Sequence, residues 1–512
     1  MKELQKDEKF WTESSQFKVS VPVGWDINHK EVCFEIGNEQ NHTLICDHSG
    51  SGKSNFLHVL IQNLAFYYAP NEVQLFLLDY KEGVEFNAYV ADTPLEHARL
   101  VSVASSVSYG ITFLKWLCDE MEKRSNLFKQ FKVKDLSDYR KHEKMPRLIV
   151  VVDEFQVLFS DNSTKGKESV ERSLNTLLKK GRSYGVHLVL ATQTMRGTDI
   201  NPSFKAQIAN RIALSMDADD SNSILSNDDA ACELTPPTEG IFNNNGGHQK
   251  YHTKMSIPKA PDDFTAFIKK IHEEFNQRNL TPIDRKIYNG ETPLKMPNIL
   301  KANEMRLHLG KKVDYEQKDL IVEFESNESH LLVVSQDLNA RIALMKLLFQ
   351  NIKSANKELV FCNKEKHLIR SFDAQKEYGI TPVENILSVL DTAMNPNSAL
   401  VIDNLNEAKE LHDKVGVEKL RSFLEKATDN EQYCIIFVHD FKQIKTNYHF
   451  DKLRELLSNH FKQCLAFRCN GENLNAIKNN LPPPSALNNL NALLIELSKD
   501  SRTEFRPFSL QD

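Results

Sequence analysis

Gly50-Ser51-Gly52-Lys53-Ser54 is a residue set that can hold phosphate. Two glycines let the backbone turn its N–H groups toward an anion, a lysine reaches the outer phosphates, and a serine hydroxyl joins the shell of a divalent cation. The surrounding stretch, "ICDHSGSGKSNFLHVL" from Ile45 to Leu60, runs from an apolar strand through the turn into an amphipathic helix. That context separates a phosphate loop from a chance Gly/Ser turn. On this reading His48, Ser49, Gly50, Ser51, Gly52, Lys53, Ser54 and Asn55 surround the nucleotide phosphates. The first loop position, where glycine is expected, holds Asp47. A carboxylate there opposes phosphate unless it points away. The groups that touch phosphate are intact, so the expected cost is weakened binding at most.

Two acids extend the set. In "LIVVVDEF" an apolar strand delivers Asp153 and Glu154 at its C-terminal end, where ligands bind in open α/β sheets. Asp153 would join Ser54 around Mg²⁺, and Glu154 would act as general base on the attacking water. The competing reading is an acidic pair in a solvated loop. Gln193, at the end of "LATQT", would sense the outer phosphate, or simply end a strand with a satisfied amide. Arg182 lies in "KKGRSYGVHLVL", in a glycine-flanked connection from which it could reach a neighbouring subunit. An arginine supplied in trans stabilises charge on a transferring phosphoryl group. The alternative is a surface arginine.

These residues need strands to carry them. Four apolar runs are expected as strands: His42 to Cys46, Val73 to Tyr80, Arg147 to Phe155 and Val186 to Thr194. Helical patterns fall between them, at Ile111 to Lys132 and Lys167 to Lys180. β-Branched, nearly continuous apolar strands alternating with helices imply an α/β fold, with a parallel sheet covered by helices on both faces. Ile241 to His252 is expected as a hairpin turning at Asn-Gly. Residues 1–256 form the expected first domain. From 257 to 303 prolines recur around one charged helix, Asp262 to Gln277, which reads as a connecting segment. The strand pattern restarts in 304–512, with "HLLVV", a helix from Leu338 to Ser354, "ELVFC", "SALVIDNL" and "YCIIFVHD". The order suggests a second, smaller copy of the same architecture.

The chain has 512 residues and a formal net charge of −6, so no global basic field announces a nucleic-acid partner. A ring can still gather positive charge in its channel. The eight cysteines contain no C-x-x-C pair and read as buried free thiols of a reducing compartment. The charged start "MKELQKDEKFWTESS" lacks the apolar core of a signal peptide, and no run approaches a membrane span. The expected location is cytoplasmic. The phosphate loop comes early in the chain, so domains upstream of it remain open.

The array "HSGSGKSN", "LLDYKEGVEFNAY", "EMEKRSNLF", "IVVVDEFQVLF", "GRSYGVHLVLATQT" and "ANRIALSMDADDSNSIL" resembles the FtsK/SpoIIIE family of P-loop motors, over roughly Val21 to Pro258. The resemblance implies a RecA-like core, ATP hydrolysis with Mg²⁺, and a homo-oligomer, usually a hexameric ring with sites between subunits. It implies Lys53 and Ser54 as the Walker A pair, Asp153 and Glu154 as the Walker B pair, Gln193 as the polar sensor and Arg182 as the arginine finger. Asp47 is the departure. The second half resembles the same fold in decayed form. Ser335 to Arg341 contains no glycine and no lysine where the loop should be, and Asn404 follows Asp403 where the base would be. The expected architecture is a tandem of RecA-like P-loop NTPase domains, active first and degenerate second. The expected substrate is double-stranded DNA, moved by a DNA translocase working with partner proteins in DNA processing, transfer or anti-phage defence. Two alternatives stand beside it: a protein-translocating ATPase of the type VII secretion kind, and a nucleotide-gated assembly ATPase that transports nothing.

Overall fold

A computed structural model describes residues 1–81, 85–160, 164–194, 202–296, 305–324, 330–364, 373–391, 394–427, 429–446, 450–477, 491–499 and 501–509. The chain divides into two compact units, Met1–Gly290 and Glu291–Asp512.

In the first unit, β1 (Lys18–Trp25) and β2 (Glu31–Gly37) form a hairpin ahead of β3 (Thr43–Cys46), which enters the phosphate loop. Next come α1 (Lys53–Tyr67), β4 (Val73–Asp79), β5 (Ala98–Val103), α2 (Val107–Phe131) and the single turn α3 (Leu136–Tyr139). β6 (Arg147–Asp153), α4 (Thr164–Tyr184), β7 (Val186–Thr192), α5 (Pro202–Ala206) and β8 (Asn210–Ala213) follow. α6 (Ala218–Ile224), β9 (Glu239–Asn243), β10 (Thr253–Ser256), α7 (Thr265–Gln277) and β11 (Lys286–Asn289) complete the unit. The strands form one sheet in the order β11-β5-β4-β6-β7-β3-β8-β9-β10-β1-β2. The block from β11 to β8 is parallel, and the remainder is antiparallel.

Every residue of β4, β6 and β7 is buried, because both faces of these apolar strands are covered. α1 lays Phe56, Leu57, Leu60 and Leu64 into one core with Ile45, Leu75, Leu77, Ile149 and Val151. On the other face Phe113 of α2 meets Phe76, with ring centroids 5.7 Å apart. α2 begins before the expected Ile111 because the Ser106 hydroxyl accepts the Tyr109 N–H as an N-cap. The expected hairpin pairs β9 with β10, placing Phe242 opposite Thr253. β10 starts only at Thr253, because the Asn243 side chain accepts from the N–H groups of Asn245 and Gly247 and draws that stretch into a loop. The segment after 257 is more than a connection. α7 sends Ile268, Ile271 and Phe275 into the core of the first unit, and β11 pairs with β5. Their spacing is that of a helix with one apolar stripe. The expected boundary at 303–304 lies outside the described residues.

In the second unit, β12 (Leu294–Lys295), β13 (Arg306–Lys312) and β14 (Asp319–Glu323) precede β15 (His330–Val334) and α8 (Leu338–Ser354). β16 (Glu358–Cys362), β17 (Ser398–Ile402), β18 (Tyr433–Val438), β19 (Gln463–Phe467), β20 (Ala492–Glu496) and β21 (Ser501–Ser509) follow. The sheet order is β14-β13-β21-β20-β19-β15-β18-β17-β16, with β12 beside β21. Read from β2, the first sheet runs β2-β1-β10-β9-β8-β3-β7-β6-β4. The two orders correspond strand for strand. β15 stands where β3 does, β17 where β6 does, and β18 where β7 does. The first unit then adds β5 and β11 at its edge.

Candidate active site

The loop between β3 and α1 is shaped by glycine. Gly50 and Gly52 have φ of 81° and 100°, in the left-handed region that residues with a Cβ resist. A Cβ on Gly52 would also lie 2.6 Å from the carbonyl oxygen of Pro237, so the chain at Pro237 leans directly on the loop. A Cβ on Gly50 would meet nothing within 4 Å, so that part of the loop faces open space. α1 starts at Lys53 and turns its N-terminus toward the loop.

The sheet order brings the acids to this point. β3 and β6 flank β7, and all three end at the same edge. Lys53 Nζ lies 2.5 Å from Glu154 Oε1, 2.8 Å from Asp153 Oδ1 and 3.6 Å from Asp47 Oδ1. All four side chains are buried. Burial works against the Lys53 ammonium, but Asp153, Asp47 and Glu154 outweigh it and raise its pKa above that of a free lysine. Burial pushes the Asp47 carboxyl up to about 6, against the pull of Lys53 and Ser51. Burial also raises Asp153, again against the pull of Lys53. Glu154 moves the other way. Burial opposes its charge, but the Gln156 amide, Lys53 and the Gln193 backbone N–H together hold it below the usual range. Glu154 also sits in the left-handed region, at φ 53°, a strained conformation for a residue with a long side chain.

The residues expected around the phosphates divide into groups. Lys53, Asp153 and Glu154 converge, and the Gln193 backbone meets Glu154. The Ser51 hydroxyl donates to Asp47 Oδ2 at 2.8 Å, and the Ser54 hydroxyl to Glu85 Oε1 at 2.6 Å. His48 and Ser49 are exposed at the loop tip. The Asn55 side chain is taken up elsewhere, donating to Pro258 O and accepting from the Ala260 N–H. Arg182 is exposed near the end of α4, before β7 begins. Lys53 and Glu154 lie past the far end of that strand, and seven extended residues span roughly 20 Å. Arg182 therefore does not reach the Lys53 of its own unit.

Three site residues went unrecognised in the sequence. Gln156 donates to Glu154 Oε2 at 2.6 Å. Glu85 holds the Ser54 hydroxyl and lies 3.5 Å from His58 Nε2. Asp79 ends β4 in register with Asp153, and burial pushes its carboxyl up to about 6. Asp79 had a readable signal, since "VQLFLLDY" delivers an acid from an apolar strand as "LIVVVDEF" does. Asp47, Asp153 and Glu154 around the Lys53 ammonium suit a nucleotide that arrives with a divalent cation better than a bare anion. Among the described residues no group of three His, Cys, Asp or Glu side chains forms a metal site. Mg²⁺ in phosphate sites needs only one or two protein oxygens beside phosphate.

A family model described as the FtsK/SpoIIIE family matches residues 1–262. The chain belongs to the FtsK/SpoIIIE family. Members of this family are P-loop ATPases. The ESX secretion system protein YukB of Bacillus subtilis is 32% identical over 241 residues, covering 45% of this chain and 16% of YukB. The DNA translocase FtsK of Borreliella burgdorferi is 31% identical over 215 residues, covering 40% of this chain and 26% of that protein. The match thus spans only a minor part of these curated relatives. Among solved structures, ATPases 2 and 3 of Thermomonospora curvata EccC in complex with a signal sequence peptide align over 98% of this chain and 94% of theirs, at 16% identity and a TM-score of 0.59. That likeness establishes the fold: tandem P-loop ATPase domains. Among the described residues of this FtsK/SpoIIIE chain, no helix is long and apolar enough to cross a membrane.

The tandem is unequal in chemistry. Six residues separate β3 from α1, and three separate β15 from α8. The N-terminus of α8 is occupied by its own residue, since Asp337 Oδ1 accepts the Ala340 N–H at 2.8 Å. Arg468 Nη1 lies 3.2 Å from the other oxygen of Asp337. Arg341 Nη1 stands 3.8 Å from Asp403 Oδ1, with both residues buried.

Proposed function

We infer that the first unit of this chain hydrolyses ATP to drive transport and that the second unit turns over no nucleotide. The convergence of Lys53, Asp153 and Glu154 at the edge of one sheet carries this reading. The residues fit the ligands: the loop has open space at Gly50, a helix N-terminus and a cation for phosphate, and carboxylates for Mg²⁺. Lys53 would bind the outer phosphates, and Ser54 and Asp153 would hold Mg²⁺. Bound Mg²⁺ neutralises charge on the phosphates. Glu154 takes the proton of the attacking water, once Lys53 leaves it for phosphate. Gln193 positions that water. Arg182 lies at the opposite end of β7 from its own loop, which suits action on a neighbouring copy in a homo-oligomeric ring.

The transported polymer on this reading is double-stranded DNA. DNA translocases from several bacteria match this chain at about the same identity as the secretion proteins. The test is steady-state ATP hydrolysis by the purified chain with and without long linear duplex DNA, with Glu154→Gln as blank. Several-fold stimulation that vanishes in the blank supports DNA; basal turnover that DNA leaves unchanged refutes it. A second reading, a protein-moving motor, is favoured by one observation. The whole tandem, including its second unit, aligns with EccC ATPases 2 and 3 in a complex with a signal sequence peptide.

A further inference from the structure

Asp47 occupies the first position of the phosphate loop and is 2% exposed. Its backbone N–H donates to Thr192 O, which anchors it between β3 and β7. It does not point away from the loop. Oδ2 accepts the Ser51 hydroxyl at 2.8 Å. Oδ1 makes no hydrogen bond and faces Lys53 Nζ at 3.6 Å. Lys53 is thereby enclosed by three carboxylates, Asp47, Asp153 and Glu154. Two of them have work to do on the cation and the water. The third has none in that chemistry, and a glycine at this position would leave only those two.

We propose that Asp47 is an internal anionic competitor: its carboxylate holds Lys53 and Ser51 in the nucleotide-free loop and sets the nucleotide affinity of the first unit lower than the same loop would have without that charge. The physical reason is charge exchange in a buried site. An incoming phosphate must take Lys53 from carboxylates already in contact with it, and must then share the loop with the one that remains. Nucleotide consequently exchanges readily. Asp47 is a positioning residue here, acting through Lys53.

This inference rests on the nucleotide-site reading, so the test separates the two. Binding of a fluorescent ATP analogue with Mg²⁺ is measured by titration on the full chain, for wild type, Asp47→Asn, Asp47→Gly and Lys53→Ala. Asp47→Asn keeps the shape and the Ser51 contact but removes the charge. The expected result is a Kd at least fivefold lower for Asp47→Asn than for wild type, with KM for ATP falling in parallel and kcat not rising. Asp47→Gly, which restores the usual loop residue, should bind at least as tightly as Asp47→Asn. An unchanged or weaker Kd in Asp47→Asn overturns the proposal. If wild type binds and Lys53→Ala does not, that failure leaves the nucleotide-site reading standing. Loss of binding in wild type and both Asp47 variants alike overturns the two together.

Discussion

The same strand order carries a phosphate loop in one unit and a closed loop in the other. At the end of β6 the chain reads Asp153-Glu154, and at the end of β17 it reads Asp403-Asn404. Both second residues have φ of 53°. The backbone turn is therefore the same in both units, with an acid in one and an amide in the other. Asparagine tolerates the left-handed region better than most residues, so the turn costs less at Asn404 than at Glu154. The cation has moved as well. Lys53 opens α1, whereas Arg341 lies a turn into α8 and neutralises Asp403 from inside the helix. Where the first unit leaves a helix N-terminus for phosphate, the second fills it with Asp337. Four residues before β7 stands Arg182; four before β18 stands Asp429. The comparison separates architecture from chemistry: apolar packing keeps the sheet, and the polar edge changes independently of it.

Breaking the first site should have the largest effect. Arg182→Ala, tested in the assembled state, should lower ATP turnover by about 10³-fold or more while nucleotide binding persists. Full turnover in assembled Arg182→Ala would place the finger elsewhere. Glu154→Gln should lower kcat by roughly 10²–10⁴-fold and still bind ATP. Normal hydrolysis by this variant would remove Glu154 as the base.

In the second unit the corresponding change should affect stability and leave turnover alone. Arg341→Ala leaves Asp403 buried beside a lost cation and should cost about 3 kcal/mol in denaturant unfolding of that unit. ATP hydrolysis per folded molecule should stay the same; a loss would mean that the second site is catalytically coupled. The smallest effect concerns pH. Asp47 has a folded pKa of about 6, above the ordinary carboxyl value of 3.8. The folded state therefore holds a proton that the unfolded state has released between about pH 4 and pH 6, and stability falls as pH rises through that window. Relative to Asp47→Asn, the nucleotide-free wild type should lose about 2 kcal/mol between pH 4 and pH 7. Parallel pH profiles for the two proteins would show that Asp47 is not held at a raised pKa.

The sequence by itself determined whatever depends on neighbours along the chain. Apolar runs ending in an acid, glycines before a lysine, and the missing glycines of 335–341 are local patterns, and the elements formed where those patterns lie. It also showed the tandem, because strand and helix signals repeat in order. It did not show that α7 belongs to the first core, since prolines around a charged helix look like a connection until Ile268, Ile271 and Phe275 find a surface. Only the tertiary structure decided where Asp47 points, that Glu85 holds Ser54, that Gln156 supports Glu154, and that Arg341 closes on Asp403. Lys53 and Glu154 lie 101 residues apart in the chain. They meet because β6 and β3 flank β7, a matter of sheet order that no local periodicity encodes. The charge of the site, and with it the grip on Lys53, follows from that long-range pairing.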